Sequence, residues 1–137
     1  MPEKIENYCF GCSQENPIGL KLKFSHANNE TITEWKPTRE YEGFPGILHG
    51  GIIATIIDEV MAKAIENMGI WAVTVEMNVQ YLKKTEIGKK LIARARFVEK
   101  RKKILYLKAE ILNEQGEVTA NGIGKYFFIK EAEYENE

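Results

Sequence analysis

Four consecutive segments in the second half of the chain alternate between apolar and polar residues as half-buried β-strands do. These segments lie at 71–82, 91–99, 104–112 and 118–129. In the first, one face is apolar and comprises Val73, Val75, Met77, Val79 and Tyr81. By this count Thr74 lies on the opposite, polar face. The gaps between segments are short turns such as KRKK and NEQG, so we expect hairpins and therefore an antiparallel sheet.

A single long helix is predicted before these strands, from about Gly50 to Asn67, where NMG is a typical stop. Its apolar residues exceed the usual one-third face, so we expect it to be covered on most sides. Two shorter strands are predicted earlier, LKLKF at 20–24 and ETITEW at 30–35. One helix and such a sheet give an α+β fold, with a curved antiparallel sheet of five to six strands wrapped around the helix. The free sheet edges favour pairing with a second copy.

The length of 137 residues predicts one domain, 1–137, with an N-terminal C-x-x-C segment and turn at 1–19 and an acidic, frayed tail at 130–137. A hydrophobic fraction of 44% is enough for a real core, and a net charge of -1 argues against a nucleic-acid binder. No run approaches the ~18 apolar residues of a membrane span. The N-terminus lacks the layout of a signal peptide, which predicts a cytoplasmic protein.

The two cysteines of the chain, Cys9 and Cys12, lie in the motif CFGC. A lone C-x-x-C supplies half of a zinc site, and no second pair or adjacent histidine completes it. Gly11 and the following ENPIG indicate a turn rather than the helix start of a redox pair. A packing role is favoured; a metal shared across a dimer axis and redox chemistry are the alternatives.

Directly before the helix, His49 is followed by Gly50 and Gly51. Glycine allows a close approach to a ligand, and the N–H groups at a helix start are unsatisfied and favour negative charge. These donors could form an oxyanion hole for a carbonyl that becomes tetrahedral. The alternative is a plain turn, with His49 as a helix cap or a core histidine.

Asp58 lies in the apolar helix, where a carboxylate is costly unless it is paired or used. It is eight residues beyond Gly50, or ~12 Å along the axis, and cannot reach a carbonyl bound at its own helix start. A catalytic role therefore predicts a two-fold dimer, in which each Asp58 faces the helix start of the other copy. Solvated polarity at a helix edge is the alternative.

The segment HGGIIATIID followed by VTVEMNVQYL resembles the hotdog-fold acyl-CoA thioesterases, specifically the phenylacetate-pathway (PaaI)-like branch. These carry H-G-G, apolar or small residues, an acid, and then a long strand with a T-V-x-M/L-N pattern. The resemblance covers roughly residues 40–129. It implies a hotdog fold, hydrolysis of an acyl-CoA thioester to a carboxylic acid and CoA, and a homodimer or a homotetramer built as a dimer of dimers. Because thiolate is a good leaving group, little acid assistance is required at sulfur. The implied chemistry calls for no metal or organic cofactor.

The resemblance also implies roles for single residues. Gly50 would polarise the thioester carbonyl through its N–H, supported by His49, and Asp58 would be the nucleophile or general base. Thr74 would orient the acid or the attacking water, which requires a twist or a bulge, because the alternation directs it away from the apolar face. Some relatives have an asparagine six residues before the histidine, where this chain has Gly43.

Coenzyme A also needs contacts to its phosphates. Two basic groups are candidates, Lys83 with Lys84 at a strand end, and the turn Lys100, Arg101, Lys102 and Lys103. A solvated basic hairpin is an equally good interpretation of the second group.

Two rival functions remain. Hotdog dehydratases place a catalytic histidine ahead of an FPG-like segment, but here REYE precedes GFPG. A non-catalytic acyl-CoA binding or sensing protein is the other rival, and the presence of Asp58 favours catalysis over sensing.

Overall fold

The computed structural model describes residues 7–131. Within them lie one α-helix, α1 (Gly50–Asn67), a short 3-10 helix (Arg39–Tyr41) and six strands. The strands are β1 (Phe24–Ala27), β2 (Glu30–Trp35), β3 (Ile70–Tyr81), β4 (Leu91–Arg101), β5 (Ile104–Leu112) and β6 (Val118–Glu131). They form one antiparallel sheet in the order β1-β2-β4-β5-β6-β3. The predicted α+β fold with one long helix is confirmed.

Helix α1 packs against all six strands, and its inner side is fully buried. Ile56, Ile57 and Val60 have no exposed surface, and each such side chain contributes about 1.5–3 kcal/mol on burial. Glycines in β6 allow this close packing: a Cβ at Gly122 would lie 2.5 Å from Cγ2 of Ile57. Most positions of α1 are buried or half-buried, as its excess of apolar residues predicted.

The predicted strand at 20–24 is wrong, since the first strand begins only at Phe24. Lys21 has a φ of 57°, a left-handed conformation that interrupts an extended chain. Leu20 and Leu22 are nevertheless buried, as the alternation predicted. Their amides donate to the carbonyls of Phe10 and Gly11, so this segment pairs with the N-terminal loop instead of the sheet.

The prediction of one continuous apolar face along β3 is also wrong. The register against β6 shifts between Thr74 and Glu76, so Val75 is an extra residue that reverses the alternation. Thr74 therefore faces α1, on the same side as Met77, whereas Val73 and Val75 are 52% and 54% exposed. The bulge is the feature that directs Thr74 toward the helix.

The end of the described chain differs slightly from the expectation of a frayed tail. Lys130 and Glu131 are the last residues of β6, paired with Trp71 and Ile70. The remaining tail, 132–137, and the first residues, 1–6, lie outside the described residues. In the described part, 7–131, α1 is not apolar enough over its length to be a membrane-spanning helix.

Candidate active site

The start of α1 presents one free backbone donor. His49 caps the helix, because its Nδ1 accepts a hydrogen bond of 2.9 Å from the N–H of Gly51. Its carbonyl accepts from Ile52 and Ile53. The N–H of Gly50 has no hydrogen-bond partner among residues 7–131. The expectation of two unsatisfied glycine amides is therefore wrong for Gly51 and fits Gly50 alone.

This cap also indicates the tautomer of the neutral imidazole. Since Nδ1 accepts the bond from Gly51, the neutral ring carries its proton on Nε2. His49 thus has the role of a helix cap, one of the two alternatives in the sequence, and its Nε2–H has no hydrogen-bond partner among residues 7–131. Gly43 lies against His49, and a Cβ there would be 3.2 Å from Cα of His49, so a larger residue would crowd the cap.

A cleft of about 840 Å³ opens at this helix start. Its lining comes from the loop 43–50, from Ile53 and from the chain 81–85 that follows β3. The hydroxyl of Tyr81 donates to the carbonyl of Gly50 at 2.8 Å and holds the helix start against the end of β3. The sequence predicted Tyr81 only as part of an apolar face. Its hydrogen bond to Gly50 depends on how β3 packs along α1, which the alternation does not show.

Asp58 lies near the middle of α1 and is half-buried. Its Oδ1 accepts two hydrogen bonds, from the hydroxyl of Tyr126 at 2.7 Å and from Oγ1 of Thr74 at 3.1 Å. Its Oδ2 has no hydrogen-bond partner among residues 7–131. The carboxylate is thus fixed through one oxygen, and the other is available to a water molecule or a substrate.

Tyr126 is a site residue that the sequence did not reveal. It is 1% exposed on the inner face of β6, directly opposite Thr74 in the register. Burial, and then the negative charge of Asp58, raise the pKa of Tyr126 far above its ordinary value, so the phenol stays protonated and donates. Its position in the alternation of β6 predicts only burial, since the partner on the helix depends on tertiary packing.

Within one chain, the N–H of Gly50 and the carboxylate of Asp58 do not lie close together. Gly50 and Asp58 lie on the same helix, eight positions apart, or ~12 Å along the axis. The structure therefore places the free amide and the fixed carboxylate in two separate locations of the chain, as the spacing predicted.

The two basic groups lie at different ends of the sheet. Lys83 and Lys84 line the cleft at Gly50, where Lys83 pairs with Glu117. On the β4–β5 turn, Nζ of Lys100 is 4.4 Å from the centre of the Phe128 ring, which lies opposite Ala72 at the start of β3. The cleft is at the other end of β3, so Lys100, Arg101, Lys102 and Lys103 are remote from it in the same chain.

A second group of chemically active side chains lies on another side of α1. Cys9 and Cys12, from the N-terminal loop, approach Glu59, and the ligand atoms of the three residues lie within 4.8 Å of one another. These residues could hold a metal ion. Within residues 7–131, no hydrogen bond joins these three side chains to Gly50 or to the carboxylate of Asp58.

The candidate site therefore offers two functional groups, the N–H of Gly50 at a helix start and the carboxylate of Asp58, which has one oxygen without a partner in residues 7–131. An N–H in that position stabilises an oxyanion, and a carboxylate activates water or attacks directly. Both are steps of acyl transfer to water. Neither step changes an oxidation state.

Comparison with known proteins agrees with this chemistry. The family model of the Thioesterase superfamily matches residues 45–120, a stretch that includes His49, Gly50, Asp58 and Thr74. "Acyl-coenzyme A thioesterase 13" of Homo sapiens is 28% identical over 111 residues, which are 79% of each chain.

Solved structures show the same fold. A Streptococcus mutans protein, solved bound to acetyl CoA, superimposes with a TM-score of 0.79 over 88% of this chain and 98% of its own, at 20% identity. The PaaI protein of the E. coli phenylacetic acid degradation operon has a TM-score of 0.76 over 82% of this chain and 83% of its own, at 22% identity. The hotdog fold that the sequence resemblance implied is confirmed. Because the family model covers more than half of its residues, this chain belongs to the Thioesterase superfamily.

Proposed function

We propose that this protein is an acyl-CoA thioesterase that hydrolyses an acyl-CoA thioester to a free carboxylic acid and CoA. The observation that carries the proposal is the state of Asp58, whose Oδ1 is held by Tyr126 and Thr74 while Oδ2 has no hydrogen-bond partner within residues 7–131. The two bonds to Oδ1 fix the orientation of the half-buried carboxylate, so that Oδ2 can accept a proton from an attacking water. In a member of the Thioesterase superfamily, this orientation of Oδ2 favours catalysis over mere binding of acyl-CoA.

In the proposed mechanism the N–H of Gly50 donates to the thioester carbonyl oxygen. That bond strengthens as the oxygen becomes an oxyanion, which lowers the barrier. Asp58 removes a proton from the attacking water, or attacks the carbonyl itself to form an anhydride that water then hydrolyses. The tetrahedral intermediate collapses with cleavage of the C–S bond, and CoA leaves as a thiolate.

The proposed active site is shared between two chains, so we propose a homodimer. Thr74 lies on β3, the edge strand of the sheet, which places Asp58 next to the rim where another molecule can approach. The same rim exposes apolar side chains, among them Trp71, Val73 and Val75. A two-fold axis beside β3 would bring the partner subunit's Gly50 to Asp58 and bury these side chains. Two such dimers could stack into a tetramer.

We propose that Lys83 and Lys84 hold phosphates of CoA, because they line the cleft that opens at Gly50. The cluster Lys100, Arg101, Lys102 and Lys103 would contact CoA only in a site formed with the partner subunit. We propose that Gly51 contributes by holding His49 through its N–H, and that His49 supports the oxygen of the thioester carbonyl. We also propose that residues 1–137 form a single domain and that the protein is cytoplasmic.

The activity is tested by following the release of free thiol from a panel of short, long and aromatic acyl-CoAs. Asp58→Asn retains the acceptor for Tyr126 and Thr74 but cannot accept a proton at pH 7. We expect it to lower kcat by about 10²–10⁴-fold with KM little changed. Glu66→Gln, an exposed change on the same helix, is the matched control. Near-normal turnover in Asp58→Asn would remove Asp58 from the mechanism.

The shared site is tested by mixing two inactive variants. Gly50→Pro removes the donor, and Asp58→Asn removes the base. A mixed dimer has one intact site, formed by Gly50 of the Asp58→Asn chain and Asp58 of the Gly50→Pro chain. Random exchange makes about half of the dimers mixed, so about a quarter of normal activity should return. No recovery after proven exchange, or a monomer by light scattering, would contradict the shared site.

A further inference from the structure

The N-terminal loop is built to hold its two cysteines against α1. The N–H of Cys9 donates to Oδ1 of Asn7 at 3.1 Å, and the N–H of Ser13 donates to the carbonyl of Cys9 at 3.0 Å, closing a turn around the C-x-x-C motif. The far side of the loop is tied down by bonds from Leu20 to Phe10 and from Leu22 to Gly11, at 2.9 and 3.0 Å. These hydrogen bonds fix the backbone of the loop that carries both cysteines.

Glu59 completes the cluster from the helix. Its Oε1 is 3.4 Å from Sγ of Cys9, and all three ligand atoms lie within 4.8 Å of one another. In a tetrahedral zinc site, bonds of ~2.3 Å to sulfur and ~2.0 Å to oxygen separate a sulfur and an oxygen ligand by about 3.5 Å and two sulfurs by about 3.8 Å. The observed separations suit a single ion between the three side chains.

Gly11 makes this approach possible. A Cβ at Gly11 would lie 2.3 Å from Cγ of Glu59, so any other residue would push the glutamate away from the cysteines. Charge fits as well, because Lys63, one turn further along α1, lies beside Cys12 and offsets the excess negative charge of two thiolates and a carboxylate around a divalent ion. Gly11, the hydrogen bonds of the loop and the position of Glu59 thus all favour one ion-binding site at the two cysteines.

We propose that Cys9, Cys12 and Glu59 bind a zinc ion, or another divalent ion that prefers sulfur, which fastens the N-terminal loop to the central helix. Thiolates select such ions over Mg²⁺ and Ca²⁺. The three ligands leave one tetrahedral position for water or a further donor. The ion takes no part in thioester cleavage, because Oδ1 of Asp58 is held from the sheet by Tyr126 and Thr74 and not by this loop.

The test uses the full-length protein, reduced, treated with a chelator, and titrated with Co²⁺ as a spectroscopic substitute for Zn²⁺. We expect one Co²⁺ per chain, with tetrahedral d–d bands and a thiolate-to-metal charge-transfer band that Zn²⁺ abolishes by displacement. The chain has only two cysteines, so that band reports on Cys9 and Cys12 alone. Absence of stoichiometric binding at micromolar Co²⁺ would overturn the proposal.

Variants separate the three-ligand site from binding by the C-x-x-C motif alone. Glu59→Gln should weaken Co²⁺ binding by at least about tenfold, whereas Glu114→Gln, an exposed carboxylate on the β5–β6 turn, should not change it. Gly11→Ala keeps all three ligands but displaces Glu59, and should weaken binding comparably. Unchanged affinity in Glu59→Gln would refute the site.

A measurement on the unaltered protein guards against variants that fail to fold. Bound Zn²⁺ should protect both thiols from alkylation, as read by mass spectrometry, and should raise the melting temperature with the logarithm of the free Zn²⁺ concentration above Kd. A Cys9–Cys12 disulfide that forms in a glutathione buffer despite added Zn²⁺ would overturn the proposal in favour of redox chemistry.

Discussion

The phenol of Tyr126 and the carboxylate of Asp58 are joined by a hydrogen bond of 2.7 Å that runs from the sheet to the central helix. Thr74 donates to the same oxygen, Oδ1, from the adjacent strand. Two neighbouring strands therefore set the orientation of one helical carboxylate. The free oxygen, Oδ2, is left in a defined direction.

Tyr126→Phe should lower kcat by roughly tenfold and leave KM nearly unchanged, because it removes the main donor to Asp58 but keeps the buried ring. A hydrogen bond to a charged group contributes about 1.5–3 kcal/mol, so the free energy of unfolding should also fall by up to that amount. Thiol release and denaturant unfolding measure the two effects. Tyr106→Phe, whose hydroxyl makes no hydrogen bond within residues 7–131, serves as control. Equal kcat in both variants would show that Tyr126 has only a packing role.

Thr74→Val should reduce kcat by a factor of a few, whereas Thr74→Ser should remain close to the unaltered protein. Valine has the shape of threonine but no hydroxyl, so it removes the 3.1 Å bond to Asp58 without leaving a cavity. Serine retains the donor. If the two variants have the same kcat, the hydroxyl of Thr74 does not position the carboxylate.

Gly50→Pro should lower kcat by about 10²–10³-fold while the protein remains folded. Gly50 is the first residue of α1, where proline is tolerated because no intrahelical bond needs its N–H. The preceding His49 already has the extended φ and ψ, -59° and 135°, that a following proline requires.

Gly50→Ala is the matched control for this prediction, since it adds a Cβ but keeps the donor. That Cβ would lie 3.5 Å from the Tyr81 ring, an ordinary contact. We expect Gly50→Ala to keep most of the activity. Equal losses in the alanine and proline variants would point to crowding of the cleft and would exclude the N–H as the cause.

Lys83→Gln with Lys84→Gln should raise KM for acyl-CoA by roughly tenfold and weaken its dependence on salt, with kcat retained. Both side chains line the cleft, and removal of charge-assisted phosphate contacts affects binding more than chemistry. Lys102→Gln with Lys103→Gln, on the remote β4–β5 turn, is the comparison. A larger KM effect from this second pair would place the CoA phosphates on the hairpin.

Much of the fold follows from the sequence because hydrophobic periodicity and turn residues act locally. The long helix ends at Asn67 as its stop signal predicts, and the last three strands follow their alternating segments closely. The failures also have local causes that the pattern does not display. Lys21 adopts a left-handed conformation, and an extra residue at Val75 reverses the face of β3. Register depends on the partner strand, which is remote in sequence.

The sequence by itself determined the helix start with its glycines, the acid eight residues further on, and hence the need for a second chain if both act on one thioester. Only the tertiary structure decided which of these groups are free. His49 takes the amide of Gly51 in a local helix cap, but only packing shows that no other group within residues 7–131 bonds the amide of Gly50. Packing also brings Tyr126 and Thr74 to one oxygen of Asp58 and leaves the other without a partner in that range. Tertiary packing also brings Glu59 to Cys9, which is 50 residues away in the chain. Hydrogen bonds between distant segments form only when packing brings those segments together, so local patterns carry no record of them.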